Sequence, residues 1–162
     1  MIERAGLAAL RNLDCTMLLC NEIEPMRSFY VDLLGLDVQR EIAGRYLELR
    51  IGATTLAFRL RTRPYDGAAP VNTAGSVQLA FRVPPPDVEV AAAQLIEHGV
   101  ELLEPVRDLP DFGHRVLFFA DPDHNVIEIY GESEDHPRAA APRLAAHGGR
   151  QVRSSEGHGW RR

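Results

Sequence analysis

Leu47, Leu49 and Ile51 alternate with Tyr46, Glu48 and Arg50, and Leu56, Phe58 and Leu60 alternate in the same way with Thr55, Ala57 and Arg59. A period of two marks strands with one buried face. Upstream the period changes. Phe29, Tyr30, Leu33 and Leu34 recur at helical spacing, Pro25 sits in a first turn where its missing N–H costs nothing, and Gly35 supplies a left-handed stop. The pattern predicts a strand at 14–20, a helix, and strands at 37–42, 45–51 and 54–61. It then recurs. A strand at 76–83 precedes three prolines, Asp87 is placed to cap a helix over 88–98, and Gly99 ends it. A sixth strand, a polar loop at 108–113, a strand at 114–120, the tight turn Asp121-Pro122-Asp123-His124-Asn125 and a last strand complete the set.

Gly35 and Gly99 lie some 64 residues apart, a period that indicates a duplicated module rather than a solenoid. The expected fold class is α+β: two tandem βαβββ modules, 14–61 and 76–131, forming a curved mixed sheet around a cavity. Pro64, Gly67, Pro70 and Gly75 mark residues 62–75 as the linker. Residues 1–13 read as a lead-in. Residues 132–162 lose periodicity and are expected to be a disordered, basic tail.

Composition narrows the function. A chain of 162 residues with 45% hydrophobic content has enough apolar material for one compact domain. The net charge of -5 argues against a nucleic-acid partner. That charge is uneven: after Gly131 six arginines face four acids, leaving 12 basic and 19 acidic residues in the body. Every basic residue is Arg, which excludes lysine Schiff-base chemistry and a P-loop lysine. No apolar run is long enough to cross a membrane, and the N-terminus lacks a signal-peptide core, so a cytoplasmic protein is expected. Cys15 and Cys20 share one predicted strand at odd spacing, which points them to opposite faces and forbids a disulfide between them.

The uniformly apolar strand faces are expected to pack under the helices, leaving the mixed faces to line the cavity. These bring together Cys15, Tyr46, Glu48, Arg50, Arg59, Gln78, Arg82, Glu128 and Tyr130. Glu128 stands out, because Val126-Ile127-Glu128-Ile129-Tyr130 sets a carboxylate in an apolar run, where it is costly to bury without a partner, a cation or water. A plain alternative is a half-exposed sheet face whose charges meet water. Another is Glu128 paired to a cavity arginine, Arg82 or Arg59. His98 and His124 read as helix-end and turn residues, and His114 can reach the cavity mouth.

Arg27-Ser28-Phe29-Tyr30, then Leu34-Gly35-Leu36, then Leu79-Ala80-Phe81-Arg82-Val83, Gly99-Val100 and Phe119 through Glu128 resemble, in order and spacing, the vicinal oxygen chelate superfamily. That superfamily includes glyoxalase I, extradiol dioxygenases, fosfomycin resistance enzymes and bleomycin resistance proteins. Its metal-dependent members place a His or carboxylate on the first and fourth strands of each half, leaving a divalent ion open to a bidentate oxygen substrate. Carried over, those positions are Cys15, Ala57, Gln78 and Glu128. Of these, Glu128 is a usual ligand, Gln78 a weak one, Cys15 a soft thiolate and Ala57 no ligand at all.

The departure points to the metal-independent branch, whose bleomycin-resistance-like members bind a small molecule in a groove and are usually homodimers. The expectation is therefore a groove-binding protein with a degenerate metal site and no cofactor, its ligand held by Gln78, Arg59, Arg82, Tyr46, Tyr130 and Cys15. Aromatics and arginines together would suit an anionic or planar ligand. The alternative is a lyase, isomerase or epimerase with Glu128 as general base, or as ligand with Gln78 to Zn, Ni, Mn or Fe.

Overall fold

The computed structural model describes residues 13–68 and 77–132. The lead-in up to residue 12, residues 69–75 of the expected linker and the tail from residue 133 lie outside the described residues. Each half forms one four-stranded sheet. The first contains β1 (Cys15–Cys20), β2 (Asp37–Ile42), β3 (Tyr46–Ile51) and β4 (Thr54–Leu60), in the order β1-β4-β3-β2. The second contains β5 (Gln78–Arg82), β6 (Leu102–Leu109), β7 (His114–Ala120) and β8 (Val126–Glu132), in the order β5-β8-β7-β6. In each sheet the first and last strands run parallel and the remaining pairs antiparallel, so both halves are βαβββ modules of an α+β fold.

The helices differ from expectation in detail. α1 (Ile23–Arg27) covers five residues and then widens into a π-helical stretch, Ser28–Leu33. Gly35, at φ +70°, ends it as expected, with the Leu36 N–H donating to the Tyr30 carbonyl at 3.0 Å. α2 (Asp87–Glu97) has Pro86 at its N-cap position, so Asp87 is its first residue and makes no side-chain cap. Asp87 still favours the helix as an acid in the first turn. Most of the expected polar loop at 108–113 is structured: β6 runs to Leu109 and a 3₁₀ turn spans Pro110–Phe112.

The alternation sorts the faces as the pattern predicts. Leu18, Cys20, Leu47, Leu49, Leu56 and Phe58 of the first sheet are buried, as are Leu117, Phe119, Ile127 and Ile129 of the second. With Ile23, Met26 and Tyr30 before β2 and Val88, Ala92 and Leu95 on α2, they make one continuous cluster. The halves thus share a core built from their helix-covered faces. Tyr30 lies 4.6 Å from Phe58 and Phe29 lies 6.0 Å from Phe119, ring centre to ring centre. The Tyr30 hydroxyl donates to Asp121 Oδ2 at 2.8 Å, a buried bond across the two halves. Asp121 also accepts from the Asp123 and Asn125 N–H groups and from Asn125 Nδ2, which leaves this buried carboxylate well satisfied. Among the described residues no helix is long and apolar enough to cross a membrane.

Candidate ligand-binding site

Since one face of each sheet is committed to the shared core, side chains of opposite parity point away from it. On the second sheet those are Gln78, Ala80 and Arg82 of β5, His114, Val116 and Phe118 of β7, and Glu128, Tyr130 and Glu132 of β8. All of these but Arg82 and Val116 line a cavity of about 610 Å³. Its wall combines the aromatics Phe112, Phe118 and Tyr130 with His114, the carboxylates Asp111, Glu128 and Glu132, the amide of Gln78, and Ala80 and Leu109.

Register places these groups. Glu128 lies between Ala80 on β5 and Phe118 on β7, and Glu132 lies opposite His114. Glu128 is only 9% exposed, and its Oε2 accepts from Gln78 Nε2 at 2.8 Å. It enters none of the ion pairs among the described residues. The His114 ring stacks on Tyr130 with centroids 4.4 Å apart and planes 23° from parallel, and Phe112 continues the row 6.2 Å from His114.

The first sheet carries the other expected site residues on a separate face. Cys15 is half-buried, and burial, followed by the charges of Glu48 and Asp14, raises its thiol pKa. A protonated thiol is a poor nucleophile and a poor metal ligand. The Tyr46 hydroxyl donates to Glu48 Oε2 at 2.6 Å, and burial together with that bond pushes its pKa up to about 12. Arg59 is committed elsewhere: its Nη1 and Nη2 each donate to Asp66 at 2.8 Å. Asp66 also accepts from the Thr62 and Arg63 N–H groups, so this ion pair fastens the segment after β4. The Arg59 hydrogen bonds, followed by those of the two N–H groups, hold the Asp66 carboxyl well below the usual range. Arg82 reaches Glu132 at 3.5 Å on the exposed rim. Neither arginine pairs with Glu128.

Of the residues expected at the site, Gln78, Glu128 and Tyr130 line this cavity, while Cys15, Tyr46, Arg59 and Arg82 do not. Phe118 was legible in the sequence, since it shares strand parity with His114. Phe112, Asp111 and Glu132 carried no such signal, because a 3₁₀ turn and a strand extension bring them in.

The donor set can be tested against a divalent metal. The four positions correspond between the two sheets: Met17 pairs with Ala57 as Ala80 pairs with Glu128, each two residues beyond Cys15 and Gln78. At those positions Ala57 offers no donor and Cys15 lies on the other sheet. The Gln78 amide is engaged through its nitrogen with Glu128. Among the described residues no three His, Cys, Asp or Glu side chains converge on a metal-sized point. The described residues of one chain therefore do not bring together a divalent-metal donor set.

Comparison with known proteins agrees with this architecture. Residues 12–129 match the family model of the Glyoxalase/Bleomycin resistance protein/Dioxygenase superfamily. The uncharacterized protein YwkD of Bacillus subtilis (strain 168) is 32% identical over 127 residues, spanning 75% of this chain and 97% of that protein. A glyoxalase/bleomycin resistance protein/dioxygenase from Nocardioides superposes with a TM-score of 0.68 at 19% identity, over 82% of this chain and 91% of its own. Lactoylglutathione lyase from Agrobacterium tumefaciens superposes with a TM-score of 0.60 at 16% identity, over 74% of this chain and 92% of its own. At such identities the two structures speak for the fold alone, but the family match spans both modules, and this chain belongs to the Glyoxalase/Bleomycin resistance protein/Dioxygenase superfamily.

Proposed function

We propose that this protein binds a small organic molecule in the second-sheet cavity without a divalent metal. The observation that carries the reading is Glu128: a nearly buried carboxylate, held by Gln78 alone among the described residues, on the wall of a cavity of about 610 Å³. That volume falls in the range of small-molecule pockets, roughly 300–1,000 Å³, and the mix of aromatic walls with a few polar groups is the usual composition of such sites. The test is a thermal-shift and calorimetric screen of small aromatic compounds, with turnover followed on every hit. A hit should bind one per chain and be recovered unchanged, and Glu128→Gln should weaken a hit whose polar group reaches that carboxylate. Product formation that Glu128→Gln abolishes would replace this reading.

One observation favours the enzyme reading as second choice. His114 and Glu128 share the cavity, so a proton acceptor and a proton donor both face a bound molecule. A lyase, isomerase or epimerase of this kind would use Glu128 as general base and the Gln78 amide to hold a developing oxyanion.

The protein is further proposed to act as a homodimer. Among the described residues β1 and β5 each pair on one side only, and Met17 on β1 is 45% exposed beside such an edge. Open edges of this type are aggregation risks unless covered, and a second copy would cover both. Sedimentation velocity should give a species of twice the chain mass; a monomer at micromolar concentration would rule the assembly out.

A further inference from the structure

The charge of the cavity indicates what kind of molecule it takes. This inference rests on the proposal that the cavity binds a small molecule. Three carboxylates line it: Glu128 is nearly buried, Glu132 half-buried and Asp111 exposed. Arg82 approaches Glu132 at 3.5 Å from outside, and no arginine is part of the lining. Glu128 has no cation within ion-pair distance among the described residues, although it is 9% exposed. A carboxylate in so little water is costly without a counter-charge, and a bound cation would supply one. An anionic ligand would meet Glu128 and Asp111 instead, with Glu132 partly offset by Arg82.

The walls add shape. Phe112, His114 and Tyr130 form a row of rings spaced 6.2 and 4.4 Å, with the last pair nearly parallel. Phe112 is 68% exposed, which leaves a ring face at the mouth free to receive another. Phe118 stands directly across from Glu128 in the β7–β8 ladder, so an aromatic residue and a carboxylate are neighbours on the cavity wall. Aromatic faces attract flat rings and cations together, and the attraction grows when water is excluded.

We infer that the cavity selects planar aromatic cations, with the ring system along the Phe112–His114–Tyr130 row and the positive group on Glu128. The expected arginine grip on an anion is thereby reversed, because Arg59 is held by Asp66 and Arg82 sits outside on the rim.

Three acridines of matched shape test this by fluorescence titration of the full chain at about pH 8 in physiological salt: cationic 9-aminoacridine, neutral 9-methylacridine and anionic acridine-9-carboxylate. The cation should bind one per chain at least about tenfold tighter than either partner. Glu128→Gln should bring its affinity down to that of the neutral probe while leaving the neutral probe's own affinity unchanged, which also verifies that the variant folds. Equal binding of all three, preference for the carboxylate, or cation binding that Glu128→Gln leaves intact would overturn the inference while leaving the cavity a binding site for planar molecules. Failure of all three to bind would overturn both the inference and the binding proposal beneath it.

Discussion

Two carboxylates with similar burial have opposite fates. Asp66 is surrounded by donors: both Arg59 nitrogens and two backbone N–H groups. Glu128 has one amide. The first is therefore a structural clamp, and the second is left with capacity for a ligand. The clamp should register in acid. Its pKa in the folded chain lies well below the ordinary 3.8, so in the acid range the unfolded chain binds the extra proton and stability rises with pH. The stabilisation is complete above about pH 5 and is lost as pH falls through the ordinary value toward the folded one. Urea midpoints of the protein and its Asp66→Asn variant should differ by a constant amount from about pH 7 to pH 5, and the gap should close progressively below about pH 4. A gap independent of pH would mean that Asp66 stabilises by shape and not by charge. Glu128 was visible in the sequence because a charge interrupts an apolar run. The fate of Arg59 was not, since its partner sits seven residues on in an aperiodic segment, where no strand or helix spacing links the two.

Among the elements, strand parity carried the most information and the joints carried the least. Alternation assigned the buried faces of β3, β4 and β8 because a one-residue slip would turn every apolar side chain to solvent. Nothing in that pattern foretold the π-helical stretch after α1 or the 3₁₀ turn that brings Phe112 to the cavity, because both depend on tertiary packing. Another joint lies where β8 passes under the start of α2. A Cβ on Gly131 would stand 2.5 Å from Pro85 Cα and 3.2 Å from a Val88 methyl. The obstacle is backbone, which cannot swing aside. Gly131→Ala would gain about 0.4–1 kcal/mol from a less mobile unfolded chain. Overpacking of about 1–3 kcal/mol opposes that gain. The clash should win, with a net loss of about 1–2 kcal/mol in chemical denaturation. A variant as stable as the parent would show that the β8–α2 joint can give way.

At the scale of the whole molecule, both sheets turn their helix-covered faces into one core and their mixed faces outward. The expected cavity drew on both halves. The observed one belongs to the second half, and the first-half residues Cys15, Tyr46 and Glu48 stand on a face of their own. The duplicated sequence specified each module but not their relative placement, which contacts such as Tyr30 to Asp121, 91 residues apart, decide. The proposed reading, ligand binding without a divalent ion, rests on that separation: Ala57 gives no donor, Cys15 lies on the other sheet, and the Gln78 amide is bound to Glu128. The most direct measurement is divalent metal per chain by mass spectrometry on protein purified without tag or chelator, alongside Glu128→Ala, with ligand affinity read before and after addition of Zn, Ni, Mn or Fe. The account predicts far less than one metal per chain in both proteins and an affinity that added metal leaves unchanged. Near-stoichiometric metal in the parent that disappears in Glu128→Ala would contradict it and make Glu128 a metal ligand.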